Sequence, residues 1–249
     1  LSSILERLKK REATGPKALF AVIAGPRLGG KTSLAGTLPG KTLLLQATVF
    51  ESGCESAKAL AAQNGNQLEV LNFSSREELN EIAKELATDT EFDHVYVDGL
   101  SALTDLIFRE PKIAMKMKSD NWAAFRELGE AVTDTILRLK ELTYSEKAKK
   151  PKNVLLTCAL AVKLDKNGSV VDVSLEAKGN VAVTQITKLG EAVLTVAQVS
   201  GEGGVLQRRL ITKSTEIWPG RIDGLLDSTN PGSMEPDLNQ VLKLVGGGE

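Results

Sequence analysis

From Ala24 to Leu34 the chain reads AGPRLGGKTSL. Gly25, Gly30, Lys31 and Thr32 in that stretch satisfy the spacing G-x-x-x-x-G-K-[ST], a strand-to-helix turn whose backbone N–H groups can curl around a polyphosphate. Each position serves a different need. Glycines let the N–H groups point inward along the loop Gly25, Pro26, Arg27, Leu28, Gly29 and Gly30, Pro26 alone having none to offer; Lys31 is placed to reach β- and γ-phosphates, and Thr32 to offer a hydroxyl oxygen to Mg2+. Ser33 completes the lining, and the helix expected from KTSLAGTL adds the partial positive charge of its N-terminus. The bare pattern arises by chance in about one chain of this length in a hundred. Its context is the required one, a buried strand (ALFAVIAG) before it and a helical segment after it. The competing reading is a tight turn that binds nothing.

A phosphate loop of this kind works with an acidic residue at the end of a neighbouring buried strand, close to the metal. DHVYVDGLSAL supplies Asp98 after the apolar run His94–Val97 and before Gly99. Its carboxylate is expected at the carboxyl edge of the sheet, where open α/β folds bind ligands; a helix N-cap or turn aspartate is the alternative. The chain has no N-K-x-D guanine signature, which favours ATP over GTP. Hydrolysis further needs a group that orients water. Glu51, in QATVFESGCESA after the second strand, is the candidate and Glu55 the runner-up; a solvated loop carboxylate is the competing reading for both.

These residues need a frame. ALFAVIAG (Ala18 to Gly25), KTLLLQA (Lys41 to Ala47), QLEVLNF (Gln67 to Phe73), DHVYVDG (Asp93 to Gly99) and NVLLTCAL (Asn153 to Leu160) read as strands buried on both faces. Helices alternate with them. Ser74 and Glu77 have capping-box spacing at the start of SSREELNEIAKELA. A longer helix is predicted from Trp122 to Leu142, because Phe125, Leu128, Val132, Ile136 and Leu139 form one stripe; Trp122 itself is expected in the core. AVLTVAQVS and VLQRRLITK read as a late antiparallel hairpin turning at Gly201 to Gly204. The expected fold class is α/β, a mainly parallel sheet flanked by helices with an antiparallel hairpin late in the chain. No linker or repeat divides the sequence, so residues 1–249 read as one domain, with 1–15 a helical extension.

Composition narrows the function classes. A net charge of −1 excludes a global basic field. Two cysteines, Cys54 and Cys158, make neither a disulfide framework nor a metal knuckle, and point to a reducing compartment. No apolar run reaches the roughly 18 residues of a membrane span, and the start, LSSILERLKKRE, reads as an amphipathic helix and not a secretory signal. A cytoplasmic protein without membrane contact is expected. His94, the sole histidine, stands at the entry to a buried strand, so no histidine triad or histidine-rich metal site is available. DKNGS (Asp165 to Ser169) is a turn and not a calcium loop.

The two motifs, together with TLLLQATVFESG, the Trp122 helix, NVLLTCAL and LTVAQVSGEGGVLQRRLITKS, resemble the RecA-like P-loop ATPases of bacteriophages, a group that includes single-strand annealing and recombination ATPases. The resemblance covers about Lys17 to the end, and only the two motifs in it are specific. It implies a RecA-like core, ATP with Mg2+, and assembly into homo-oligomeric rings or filaments on single-stranded DNA in the host cytoplasm. A phage or host single-strand-binding protein is an implied partner. The catalytic glutamate of such proteins follows the strand after the P-loop helix, which suits Glu51, and Thr157 takes the place of a polar residue that senses the γ-phosphate. A cation from a neighbouring subunit commonly completes the site; Arg208, Arg209, Lys213 and Arg221 are the candidates.

Contact with DNA has two candidate segments. REPKIAMKMKSDNW carries Arg109, Lys112, Lys116 and Lys118, and SEKAKKPKN carries Lys147, Lys149, Lys150 and Lys152. Cationic loops can track phosphates, and solvated surface is the more common use of such runs. Two alternatives to a recombination ATPase stay open: a motor that packages or unwinds DNA, and a non-catalytic module whose bound nucleotide stabilises an assembly.

Overall fold

The computed structural model describes residues 18–47, 54–167, 170–178, 180–200, 205–215, 218–223, 225 and 229–246. The helix expected over 1–15, the Gly201 to Gly204 turn and Glu51 lie outside them.

The first strand, β1 (Phe20–Gly25), is buried from end to end. It pairs in parallel with β5 (Asn153–Leu164) on one side and β7 (Ala192–Ser200) on the other. Beyond β5 come β4 (His94–Asp98), β2 (Lys41–Ala47) and β3 (Gln67–Phe73), all parallel. Beyond β7 the sheet turns antiparallel through β8 (Leu206–Ile211) and β10 (Ser233–Met234), and β9 (Arg221–Ile222) also pairs antiparallel with β7. The order is β10-β8-β7-β1-β5-β4-β2-β3. The far end of β5 continues into an antiparallel pairing with β6 (Val170–Glu176), an extension absent from the expected elements.

Strand alternation sends successive side chains to opposite faces, and each face carries its own core. Phe20, Val22, Leu45 and Val97 meet α2 (Arg76–Thr88), α3 (Leu100–Phe108) and α5 (Asn121–Glu141) through Leu79, Leu103, Leu128 and Val132. Ala21, Ile23, Leu44 and Tyr96 meet Leu34, Ala57 of α1 (Glu55–Gln63), and Leu238 and Val241 of α7 (Leu238–Leu244). Two further helices, α4 (Pro111–Ser119) and α6 (Asn180–Leu189), pack on α5. Truncating a fully buried residue such as Ile23 to alanine costs about 2–5 kcal/mol. Among the described residues no helix is long and apolar enough to cross a membrane.

Four expectations change. The segment after Lys31 is a six-residue 3-10 helix, Thr32–Thr37, and not an α-helix. Its bonds run from Leu34 N to Lys31 O and Leu38 N to Ala35 O, Leu38 is already extended, and Gly36 lies so close to α1 that a Cβ would collide with the Ala57 and Ala61 backbone. Short and tightly wound, it offers little macrodipole. Strand β3 is not buried on both faces: among the described residues it pairs only with β2, at an edge, and Leu71 is exposed. The capping box falls one residue later, where Ser75 accepts from Glu78 N and the Glu78 carboxylate accepts from Ser74 N and Oγ. Trp122 leaves the core and is 88% exposed. It belongs to the first turn of α5, just after the Asp120 cap, and the buried stripe starts only at Ala124 and Leu128; Phe125 is 40% exposed.

Candidate functional site

Where β1 and β4 end, beside β5, a cleft of about 600 Å3 opens, lined by the loop from Arg27 to Ser33 and by Asp98, Ser101, Asp105 and Thr157. That volume suits a nucleotide-sized ligand. The loop turns on a Gly29 N to Pro26 O hydrogen bond of 3.1 Å. Two residues then adopt left-handed backbone: Gly30 with φ +79° and Leu28 with φ +61°. Glycine takes that geometry freely, whereas for leucine it costs about 1–2 kcal/mol, and the Leu28 side chain stands wholly in solvent. A side chain at Gly30 would also overlap the guanidinium of Arg208, which lies across the loop from β8.

Lys31 folds back on the loop, its Nζ donating to Gly25 O at 3.0 Å and Pro26 O at 2.8 Å. Its own carbonyl accepts from the Tyr96 hydroxyl at 2.6 Å. Burial, with the Asp98 carboxylate nearby, holds the Tyr96 phenol well above its ordinary pKa, so it remains a donor. Lys31 is thus pinned at the backbone, and its ammonium rests on groups that a phosphate oxygen can replace.

Asp98 is the hub. Thr32 Oγ1 donates to its Oδ2 at 2.7 Å, Thr157 Oγ1 to its Oδ1 at 2.6 Å, and Gln46 Nε2 approaches Oδ2 at 3.4 Å. Carboxylate, glutamine and Thr157 are all buried. The order β1-β5-β4-β2 makes this possible, because Thr157 lies in register with Ile23 of β1 and Gln46 with Asp98 of β4. The peptide that follows Asp98 is cis. These donors to Asp98 are neutral, so the buried carboxylate is well suited to a nearby cation. Among the described residues no group of three or more His, Cys, Asp or Glu is arranged to hold a metal ion. A hydroxyl and one carboxylate do not make a self-sufficient cage; they fit Mg2+, which keeps several waters and completes its shell with substrate phosphates.

Other sequence candidates go elsewhere. Glu51 lies outside the described residues. Glu55 begins α1 and pairs with Lys58 at 3.0 Å, a contact that lowers its pKa. Arg209 pairs with Glu235 and Arg221 donates to the carbonyls of Thr187 and Gly190 at 2.7 and 2.5 Å; Lys213 follows β8 on an exposed segment. In the basic segments, Lys112 and Lys116 both pair with Glu127, and Lys150 with Asp93 at 2.6 Å. Lys152 is not part of a cationic loop at all. It is fully buried, donates to Asp89 O at 2.8 Å and Lys150 O at 3.0 Å, and burial lowers its pKa. The Cys158 thiol is pushed up to about 12 by burial, which leaves it unreactive.

Sequence reading missed Tyr96 and Gln46. Both carried a signal: Tyr96 is two residues before Asp98 on one strand and shares its face, and Gln46 is the polar residue near the end of an apolar run. No known protein-family model matches the chain, and neither does any curated protein.

Proposed function

We propose that this chain is a RecA-like ATPase that binds ATP with Mg2+, hydrolyses it, and acts on single-stranded DNA in phage replication or recombination. The observation that carries the nucleotide reading is the 2.7 Å contact between Thr32 and Asp98, residues 66 positions apart that the two motifs require at one point. The strand order supports the RecA-like core. It sets the loop, Thr157, Asp98 and the end of β2 side by side, so the segment carrying Glu51 departs from a strand adjacent to Asp98.

In this reading the amides from Arg27 to Ser33 cradle the polyphosphate, and Lys31 leaves the Gly25 and Pro26 carbonyls to neutralise its β- and γ-oxygens. Thr32 and Asp98 hold Mg2+, which when bound supplies charge neutralisation at the phosphates. Thr157, fixed by Asp98, faces the terminal phosphate, and Glu51 orients the attacking water. DNA as the substrate, an oligomeric ring or filament, and a cation supplied in trans rest on the resemblance of the motifs.

Phosphate release measured with and without single-stranded DNA tests the proposal. Turnover that rises with single-stranded DNA is the expected result. Turnover that answers only to double-stranded DNA would favour a packaging or unwinding motor. Nucleotide binding without release under any condition would favour the assembly module and overturn the enzyme.

A further inference from the structure

Arg27 sits in the loop between Gly25 and Lys31, with its side chain 79% exposed and its Nη2 donating to Glu176 Oε1 at 2.8 Å. It borders two spaces at once. One is the cleft it shares with Lys31, Thr32, Asp98 and Thr157; the other is an adjoining recess of about 430 Å3 that contains Glu176. The backbone of Glu176 is fixed, since its carbonyl accepts from Ser101 Oγ at 2.5 Å and it pairs across the ladder with Ala159. The backbone that carries the carboxylate is therefore held in place, and Arg27 is the longer and more exposed arm of the pair.

Direction follows from the sheet. Glu176 lies beside Ala159, two residues beyond Thr157 on β5, so Arg27 is on the Asp98 side of the loop. The Arg208 guanidinium lies instead against Gly30. A polyphosphate lying along the loop with its metal-binding end at Thr32 and Asp98 puts its terminal phosphate on the Arg27 side. A guanidinium presents a planar fork that grips a phosphate through two hydrogen bonds. The exposed pair with Glu176 contributes little net stability, so exchanging one anion for the other is easy.

We propose that Arg27 is a second γ-phosphate cation of the loop, acting in cis beside Lys31, and that Glu176 holds it at the recess until a terminal phosphate takes its place. The assignment rests on the nucleotide reading above and deepens it. It places a cation at the terminal phosphate from within the chain, whatever a neighbouring subunit adds, and it makes the β5–β6 extension a reporter of nucleotide state: tied to the loop with diphosphate, released with triphosphate.

The test is equilibrium binding of ATPγS and of ADP, each with Mg2+, to wild type, Arg27→Ala, Glu176→Gln and the double variant, with folding checked by circular dichroism. Arg27→Ala should weaken ATPγS about tenfold or more, as for a lost charge-assisted hydrogen bond, and leave ADP within about twofold. Glu176→Gln should tighten ATPγS by about two- to threefold, and that gain should vanish in the double variant. Equal losses for the two nucleotides in Arg27→Ala, or a Glu176→Gln gain that survives without Arg27, overturn this assignment alone. A folded wild type that takes up neither nucleotide overturns the nucleotide reading and this inference with it.

Discussion

Asp98 and Arg27 border the same cleft in opposite surroundings. Asp98 is buried and receives hydrogen bonds from Thr32 and Thr157, whereas Arg27 projects into solvent with a carboxylate partner drawn from another strand. Breaking the first arrangement leaves buried polar groups unpaired, at about 1–3 kcal/mol each; breaking the second costs about 0–1 kcal/mol. The Asp98 end of the cleft, where the proposed Mg2+ would bind, is thus set by folding. The rim cation can be repositioned by the ligand itself.

The largest effect that can break this contrast is on stability. Asp98→Ala strands the Thr32 and Thr157 hydroxyls and should lower unfolding free energy by about 2–4 kcal/mol in urea titration. A loss below about 1 kcal/mol would show that the hub is not a folding element. Tyr96→Phe comes next. It removes the donor to the Lys31 carbonyl and should cost about 1–2 kcal/mol, with nucleotide affinity falling alongside because the loop loses its pin.

Acid sharpens the comparison from the far end of β4. His94 accepts from Asn153 Nδ2 at Nδ1 and faces Pro39 O through Nε2, an arrangement for the neutral ring, and burial lowers its pKa below the ordinary 6.5. The unfolded chain therefore takes up this proton at a higher pH than the folded one. The histidine's contribution should be complete above about pH 6.5 and fall as pH drops through the range below it. Thermal melts of wild type and His94→Gln should show a shallower acid slope in the variant; parallel slopes would acquit the histidine. Smallest is Glu176→Gln, which should move stability by less than about 0.5 kcal/mol while altering triphosphate affinity.

What the sequence disclosed follows the range of the forces involved. The spans of β2 and β3 coincide with the apolar runs KTLLLQA and QLEVLNF, because local alternation and β-branched or aliphatic content decide a strand. Whether a strand is central or at an edge depends on pairing, so β3 looked buried and is not. The P-loop spacing and Asp98 were readable because each is a local pattern with a fixed chemical demand. Their meeting, the interposed Thr157, and the Arg27–Glu176 pair across 149 positions depend on sheet order and register, which no local window contains. Trp122 shows the same limit: the stripe through Leu128 and Val132 is buried, but burial of a residue in the first turn of that helix is decided by what packs there.

The central claim meets its most direct trial in the binding of Mg2+ and ATP to purified protein, wild type beside Lys31→Ala. Saturable uptake by wild type, with a loss of about a hundredfold or more in the variant, is the result this account predicts. No uptake by a folded wild type with ample Mg2+, or binding that Lys31→Ala leaves unchanged, would contradict it.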